Sequence, residues 1–161
     1  MRGSNDRRTA LAVLVLGVIA TTGAAAAAPV DVLRATDGSA DCVVPLARGA
    51  AFTYGYIQSM YEVPVVEDLV RDGDRIRILR IRSSELRAVE YYRWDTPIRR
   101  DGDRFVQEAP PYATDRLVIR VSPPYAQRLD GSGWSCDLQA RFPDEVVTVA
   151  PEVRPGLTLL R

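Results

Sequence analysis

The clearest pattern in the chain is a period of two over positions 52–61, where every second residue belongs to the same set. Phe52, Tyr54, Tyr56, Gln58 and Met60 form one set, and the residues between them form the other. Successive side chains of a β-strand point to opposite faces, so this period of two predicts a strand. Gln58 then lies on the same face as the aromatic residues, and that face is either core or the wall of a cleft.

A β-hairpin is predicted where Asp72-Gly73 separates two β-rich runs. A type I′ turn at this dipeptide places Leu69 opposite Ile76. It also places Asp68 opposite Arg77, which makes an ion pair. We favour this register because shifting the turn by one residue loses the charge pair and mixes polar with apolar neighbours.

The Asp-Gly-Asp-Arg sequence of this turn returns at 101–104 and predicts a second hairpin, with Ile98 opposite Phe105. Both turns resemble fragments of calcium-binding loops. Neither is followed by the further oxygen ligands that such a loop needs, so we expect no metal site. A third turn, at 130–133, precedes a strand that carries Cys136 on its core-facing side.

The remaining pattern completes an all-β fold. Further short strands are predicted at 42–46, 117–121 and 146–149, and one short helix is predicted over 83–92, capped by Ser83 or Ser84. Proline and glycine separate these segments. Seven to nine short antiparallel strands of this kind predict a small β-sandwich or a partly open β-barrel.

The first 27 residues have the features of a secretory signal peptide. Three arginines precede the apolar run Leu11–Ala20, and small residues follow up to an alanine tract that ends at Ala28. Proline directly after a cut is poorly tolerated, so Pro29 places the predicted cleavage after Ala27. The alternative is an uncleaved anchor, since residues 11–28 could just reach across a bilayer. We expect export to the periplasm or beyond, with membrane attachment only if the segment is uncleaved.

The chain after the signal is expected to form one domain. Residues 28–40 mix Asp, Gly, Ser and Ala, which predicts a flexible lead-in, and residues 41–161 form a single β domain. Cys42 and Cys136 are the two cysteines, and an even pair in an exported protein predicts a disulfide. Closing a loop of 94 residues restricts the unfolded chain by roughly 4–5 kcal/mol in the loop-entropy model.

Composition excludes most enzyme designs. All 21 basic residues are arginine, because the chain contains neither lysine nor histidine. Imidazole-activated nucleophiles, histidine metal ligands and Schiff-base lysines are therefore absent. Residues 28–161 carry 18 arginines and 20 acidic residues, a net charge of −2, which gives no overall field for nucleic acid. We expect no enzyme activity, no cofactor and no nucleic-acid partner.

The stretch 56–67 concentrates aromatic, amide, hydroxyl and carboxylate groups around a turn. Its candidate binding residues are Tyr56, Gln58, Ser59 and Glu67. Together with Pro64 and Val65, it resembles the signature of the bacterial family catalogued as domain of unknown function 1850. That signature runs Tyr-x-His-Ser, a few variable residues, Pro, then an acidic residue before a strand. The resemblance covers most of 51–149.

The resemblance implies a context for the protein. Members of the family look like small exported β proteins whose genes often accompany TRAP-type transporters with TAXI-class solute receptors. Gln58 stands where the family usually has histidine, and Arg87-Ala88-Val89 keeps only the alanine of a Gly-Ala-Gly segment. A histidine role in proton transfer or metal binding does not carry over, whereas an amide still donates and accepts hydrogen bonds.

Two interpretations of the polar residues remain open. Gln58, Ser59 and Glu67 either satisfy local backbone groups at strand ends and turns, or they form a ligand or partner site. Four arginines lie within 75–82, and we attribute them to cross-strand pairing with residues such as Asp68. They share one face of the sheet only if a bulge between positions 78 and 79 changes the phase of the strand.

We expect a non-catalytic accessory or interaction protein beside a TRAP-type transporter, with transporter subunits or a TAXI solute receptor as partners. The alternative function is a small-molecule binder, which needs a barrel mouth or cleft of roughly 300 Å³ or more. The residues expected to line that cleft are Tyr54, Tyr56, Gln58, Tyr91 and Trp94, with Glu67 or an arginine fixing a polar group.

Overall fold

The computed structural model describes residues 28–156. Contacts divide the chain into two units, a larger one spanning Asp31–Glu152 and a smaller one made of the two chain ends. In the described part of the smaller unit, the Gly156 amide donates to the Ala28 carbonyl at 3.0 Å. The larger unit contains the hydrophobic core. The predicted signal peptide, residues 1–27, lies outside the described residues, and no helix within 28–156 is long and apolar enough to cross a membrane.

Twelve strands and two short helices make up the described chain. The strands are β1 (Pro29–Thr36), β2 (Asp41–Pro45), β3 (Ala51–Gln58), β4 (Val63–Asp72), β5 (Arg75–Ser83), β6 (Ile98–Asp101), β7 (Arg104–Glu108), β8 (Ala113–Thr114), β9 (Leu117–Arg120), β10 (Arg128–Gly131), β11 (Trp134–Asp137) and β12 (Val146–Pro155). The helices are α1 (Leu86–Glu90) and α2 (Leu138–Arg141). The count exceeds the predicted seven to nine strands because the sequence pattern missed β1 and such short strands as β8.

The strands form two antiparallel sheets, neither of which closes on itself. One has the order β2-β1-β12-β9, and the other has the order β11-β10-β3-β4-β5-β7-β6, with β8 added to β5. The predicted all-β class is confirmed. Cys42 in β2 and Cys136 in β11 form the predicted disulfide, which therefore joins the two sheets.

The main core is built from the inner faces of both sheets. Leu33 and Val147 come from the first sheet, and Phe52, Leu69 and Leu129 come from the second. All five are almost completely buried. Burial of apolar surface at about 25 cal/mol per Å² is the main force that holds the sheets together.

Strand β1 occupies most of 28–40, where the sequence predicted a flexible lead-in. Val32, Leu33 and Ala35 are buried in it. The polar residues of β1 suggested exposure, but Asp31 and Arg34 are both engaged in ion pairs. Because its charged side chains form ion pairs, β1 can be part of a sheet and still bury its apolar residues.

The β4–β5 hairpin has a different register from the one that we favoured. Asp72 pairs with Arg75, and Arg71 therefore faces Ile76. The loop consists of Gly73 and Asp74, and of these two only Gly73 has a positive φ, +65°. A type II′ turn takes glycine at its first position in this way, whereas the predicted type I′ turn needs positive φ at both.

A β-bulge further along the same hairpin changes which residues of β4 and β5 lie opposite each other. The register shifts between Asp68 and Leu69, so Leu79 is left over on β5 and Asp68 faces Arg80. Ile76 and Ile81 are both buried although they are five residues apart, which an unbroken strand does not allow. The bulge therefore places the four arginines of β5 on the other, outer face.

The later elements agree in part with their predictions. Gly102 also has a positive φ, and the second hairpin shifts in the same way, so that Ile98 faces Gln107 rather than Phe105. Helix α1 falls inside the predicted 83–92. Its cap is Glu85 rather than a serine, because the Ser83 hydroxyl, at the end of β5, is held by the Pro64 carbonyl at 2.9 Å.

Candidate functional site

The inner faces of β3 and β4 carry polar side chains at one end of the second sheet. Tyr54 lies opposite Glu67, and Tyr56 lies opposite Val65. Gln58, the last residue of β3, is only 6% exposed. Alternation along the strand places Tyr54, Tyr56 and Gln58 on the same side, as the sequence predicted.

A cavity of about 320 Å³ opens beside this end of β3. Strand β3 and the turn after it supply one wall, the residue after α1 supplies a second, and the segment between β9 and β10 supplies a third. The lining residues are Tyr54, Tyr56, Ile57, Gln58, Ser59, Met60, Tyr91, Arg120, Ser122, Tyr125 and Gln127.

Gln127 fixes the third wall against the sheet. Its Nε2 donates to the Tyr54 hydroxyl and to the Arg120 carbonyl, both at 2.9 Å, and its Oε1 accepts from the Ser122 amide at 2.8 Å. The Ile57 amide also donates to the Tyr125 carbonyl at 2.7 Å. Because Gln127 is buried and uses both ends of its amide, it holds this wall in a defined position.

Two tyrosines connect the cavity to a partly buried carboxyl group, that of Glu67. The Tyr92 hydroxyl donates to Glu67 Oε1 at 2.5 Å, and the hydroxyls of Tyr56 and Tyr92 are 2.5 Å apart. Tyr92 has a single hydroxyl hydrogen, which Glu67 accepts, so Tyr56 must be the donor in its bond to Tyr92. Tyr56 lines the cavity, whereas Glu67 lies behind it.

Burial controls the protonation of this group. Loss of solvation raises the pKa of Glu67, although the hydrogen bond from Tyr92 acts in the opposite direction. Burial also raises the pKa of Tyr54 to about 12 and raises the pKa values of Tyr56 and Tyr92. The three phenols are therefore neutral at physiological pH and act as hydrogen-bonding and aromatic groups.

Gln58 has an incomplete set of hydrogen bonds. Its backbone carbonyl accepts from the Glu62 amide at 2.8 Å, but its side-chain Oε1 is buried and has no partner among the described residues. A buried acceptor without a donor costs about 1–3 kcal/mol. Such a group indicates either stored strain or a partner that is supplied from outside the chain.

Strained backbone is concentrated around the same cavity. Within 28–156, the non-glycine residues with positive φ are Glu62, Arg93, Ala126 and Asp144. The first three lie within two residues of cavity-lining side chains. Asp144 forms an ion pair with Arg120 at 2.7 Å. Conformations of this kind cost about 1–3 kcal/mol each and cluster at functional sites.

The structure brings most of the predicted site residues together. Tyr56, Gln58 and Ser59 line the cavity, as does Tyr91 from the predicted cleft. Glu67 does not line it and is linked to it through Tyr92 and then Tyr56. Trp94 packs its ring against Tyr92, at 5.0 Å between centroids.

Sequence reasoning missed Tyr92, Tyr125 and Gln127. Tyr125 could have been found from the Ser-Pro-Pro-Tyr sequence at 122–125. A proline pair between two strands predicts a loop, and an aromatic residue in such a loop is a candidate for a site. Nothing local in the sequence marks Tyr92 as the partner of a carboxylate 25 residues before it.

The outer arginine face of β5 does not form an anion site. Asp68 accepts from Arg80 and from Arg82, each at 2.6 Å, and Arg77 pairs with Asp72 at 3.3 Å. Cross-strand pairing thus engages three of the four arginines, as the sequence predicted, and the fourth, Arg75, donates to the Ala113 carbonyl. Within the part of the chain that the structure describes, no three acidic or cysteine side chains are grouped so as to hold a metal ion.

Comparison with known proteins adds no relative to this picture. A scan against protein-family models, a search of curated proteins and a search of solved structures each found no match. The chemistry of the cavity therefore has to be derived from its own residues.

Proposed function

We propose that this protein is an exported, non-enzymatic binding protein that holds a small molecule in the cavity at the end of β3. The observation that carries the proposal is Gln58, a cavity-lining residue whose buried side-chain Oε1 has no hydrogen-bond partner among the described residues. A ligand with an N–H or O–H group supplies the missing donor and removes the cost of the unpaired acceptor.

The shape and lining of the cavity support the same function. Its volume, about 320 Å³, lies at the small end of the range of about 300–1,000 Å³ that is typical of ligand sites. Tyrosine rings supply apolar surface, and a few polar groups are held in fixed positions. This combination of aromatic wall and sparse polar groups is the usual composition of a binding site.

The available chemistry argues for binding rather than catalysis. Burial raises the pKa values of Tyr54 and Tyr56, which keeps both phenols neutral, and the Glu67 carboxyl group accepts a hydrogen bond from Tyr92. Without histidine or lysine, the chain has no side chain whose ordinary pKa suits general acid–base catalysis near neutral pH.

Export and a role in transport complete the proposal. The disulfide is typical of proteins in oxidising compartments, and the predicted signal peptide agrees with it. The resemblance to the domain of unknown function 1850 family suggests that the protein works beside a TRAP-type transporter with a TAXI-class receptor. Met60 and Tyr91, exposed by 63% and 56% at the rim of the cavity, favour an accessory docking role as the second candidate.

Native mass spectrometry of the oxidised protein, purified from its own host, tests the binding function. We expect one small molecule per chain. Gln58→Met, which keeps the length of the side chain but removes the acceptor, should release it. Val118→Met places the same side chain at an exposed position outside the cavity and should retain it.

Two results would contradict the binding function. Wild-type protein that is empty under these conditions would do so, and so would equal retention by the two variants. Recovery of transporter subunits with empty protein would favour the docking role instead.

A further inference from the structure

The chemistry of the cavity narrows the class of ligand, on the basis of the binding function proposed above. We infer that the ligand is an organic ammonium ion that carries an N–H or O–H donor. Four tyrosines, one unpartnered amide oxygen and one neutralised arginine lead to this class.

The tyrosines give the cavity an electron-rich wall. Tyr54, Tyr56, Tyr91 and Tyr125 all line it, and the first two rings are stacked with centroids 5.0 Å apart. A cation within about 6 Å of an aromatic centroid is attracted to the ring face, and cages of several rings recognise alkylated ammonium groups. The four tyrosines that line this small cavity supply the rings that such a cage needs.

The hydrogen bonds of Tyr56 strengthen this attraction. Its hydroxyl donates to Tyr92, which in turn donates to the Glu67 carboxylate. Donation along such a chain increases the electron density of the Tyr56 ring, because its bonds polarise one another. The hydrogen-bond chain behind Tyr56 thus favours a cation in the cavity without occupying it.

The polar groups at the cavity disfavour an anion. Arg120 is the cation among the lining residues, and Asp144 holds it at 2.7 Å. A bound anion would have to compete with that carboxylate. The unpartnered group, Gln58 Oε1, is an acceptor and repels anionic oxygens.

Gln58 can reach a ligand donor by a small movement. The torsion about the last bond of a glutamine side chain is broad, so the amide rotates at little cost and presents Oε1 to the cavity. The ammonium group then lies against the rings while its N–H or O–H donates to Gln58. The ligand therefore needs both a positive charge and a donor.

Two pairs of matched probes test the charge requirement. Choline has the same shape as its neutral isostere 3,3-dimethylbutan-1-ol, and benzylammonium corresponds to benzyl alcohol. Isothermal titration of the oxidised protein, freed of any retained ligand, should show each ammonium ion binding about tenfold more tightly than its neutral partner. If neither ammonium ion binds more tightly than its neutral partner, the inference is wrong.

Variants at exposed tyrosines test the aromatic cage. Tyr91 is 56% exposed, so Tyr91→Leu should leave the fold intact. It should weaken choline binding at least threefold and leave binding of the neutral isostere within twofold. Tyr112→Leu changes a tyrosine that is 69% exposed and does not line the cavity, and it should change neither affinity. An equal effect of Tyr91→Leu on both probes would mean that the ring contributes only apolar surface.

An ammonium group can belong to a free solute or to a lipid headgroup. Co-sedimentation with phosphatidylcholine vesicles separates the two sources, since only headgroup recognition gives vesicle binding. Native mass spectrometry separates failure of this inference from failure of the binding function. A retained neutral or anionic molecule would overturn the ammonium assignment alone, whereas an empty protein that binds none of the probes would overturn both.

Discussion

Strand β4 carries two charged residues in different surroundings, the buried Arg71 and the partly buried Glu67. Both point to the inner face, and four residues of extended chain separate them by about 13 Å. Arg71 is 0% exposed and makes four hydrogen bonds through its guanidinium. Glu67 accepts one hydrogen bond, from Tyr92, and burial raises its pKa.

The partners of Arg71 come from three separate segments. Nε donates to the Gly73 carbonyl, Nη1 donates to the carbonyls of Val32 and Leu46, and Nη2 pairs with Asp31 at 2.7 Å. The arginine thus ties β1, the end of β2 and the β4–β5 turn together. Toward the other end of β4, by contrast, Glu67 accepts one hydrogen bond, and Gln58, opposite Val63, has a side-chain Oε1 without a partner among the described residues. A saturated polar cluster is typical of a structural role, and an unsaturated one is typical of a site that awaits a ligand.

The largest effect is expected from Arg71→Met. It removes the donor of two buried carbonyls and the closer of the two cations paired with Asp31, and because each buried acceptor left unpaired costs about 1–3 kcal/mol, the loss of unfolding free energy should be about 2–6 kcal/mol. Urea denaturation of the oxidised protein measures this loss. Arg77→Met, in an exposed pair with Asp72, should change stability by less than about 1 kcal/mol.

If Arg71→Met does not fold, Asp31→Asn provides a milder variant. It keeps an acceptor for Nη2 but removes the negative charge, so its loss should fall between those of the two arginine variants. If Arg71→Met lowers the unfolding free energy no more than Arg77→Met does, the hydrogen bonds of Arg71 do not have the structural role assigned to them.

Reduction of the disulfide should have the next largest effect. Opening a bridge typically costs about 2–4 kcal/mol, in the loop-entropy model because the unfolded chain gains freedom. Because Cys42 and Cys136 join the two sheets, the surroundings of Arg71 and of Glu67 should lose stability together. Hydrogen exchange of β4 amides in oxidised and reduced protein measures both ends of the strand. Loss of protection at one end alone would mean that the two regions open independently.

Gln58→Met should raise stability by about 1 kcal/mol even though it impairs binding, because it removes a buried acceptor that lacks a donor. Gln107→Met gives the contrast. Gln107 also has an unpartnered Oε1, but its Nε2 donates to the carbonyls of Trp94 and Thr96, so its replacement should destabilise the fold. Thermal unfolding of ligand-free protein compares the two. Destabilisation by Gln58→Met would indicate that this amide has a structural role.

Glu67→Gln should have the smallest effect at any one pH, and it should change how stability depends on pH. The pKa of Glu67 is raised above its ordinary value of 4.5, so the folded state holds the proton more tightly than the unfolded state. Wild-type stability therefore falls as pH rises from about 4.5 through the folded pKa, and then levels off.

The glutamine variant lacks this contribution and should show a flatter profile over the same range. Urea denaturation at a series of pH values compares the two proteins. Parallel profiles would show that Glu67 does not titrate differently in the folded state.

Local pattern was enough to predict most of the strands, though not β1 or β8, and the common face of Tyr54, Tyr56 and Gln58. The alternation of side chains between two faces is a property of a single strand, and it does not depend on how that strand packs in the fold. The disulfide was equally accessible, because a chain with two cysteines has one way to pair them. These features depend on few residues and on rules that do not require the rest of the fold.

The register of the β4–β5 hairpin was not accessible in the same way. Pairing Arg71 with Ile76 looked unfavourable from the sequence because it mixes a charged with an apolar residue. The guanidinium is in fact satisfied by carbonyls of Val32 and Leu46, which come from distant parts of the chain. The hydrogen bonds that make the observed register favourable are therefore tertiary contacts, which the local sequence does not show. The contact between Tyr92 and Glu67 is of the same kind.

The bridge between Cys42 and Cys136 also determines how the protein responds to a pulling force. It closes a covalent ring around residues 43–135, and every residue that lines the cavity lies inside that ring. Tension applied through the two chain ends passes from Cys42 across the sulfur atoms to Cys136 and bypasses the enclosed segment. A chain held at one end and pulled at the other can therefore lose β1 and β12 while β3 and the cavity walls carry no load.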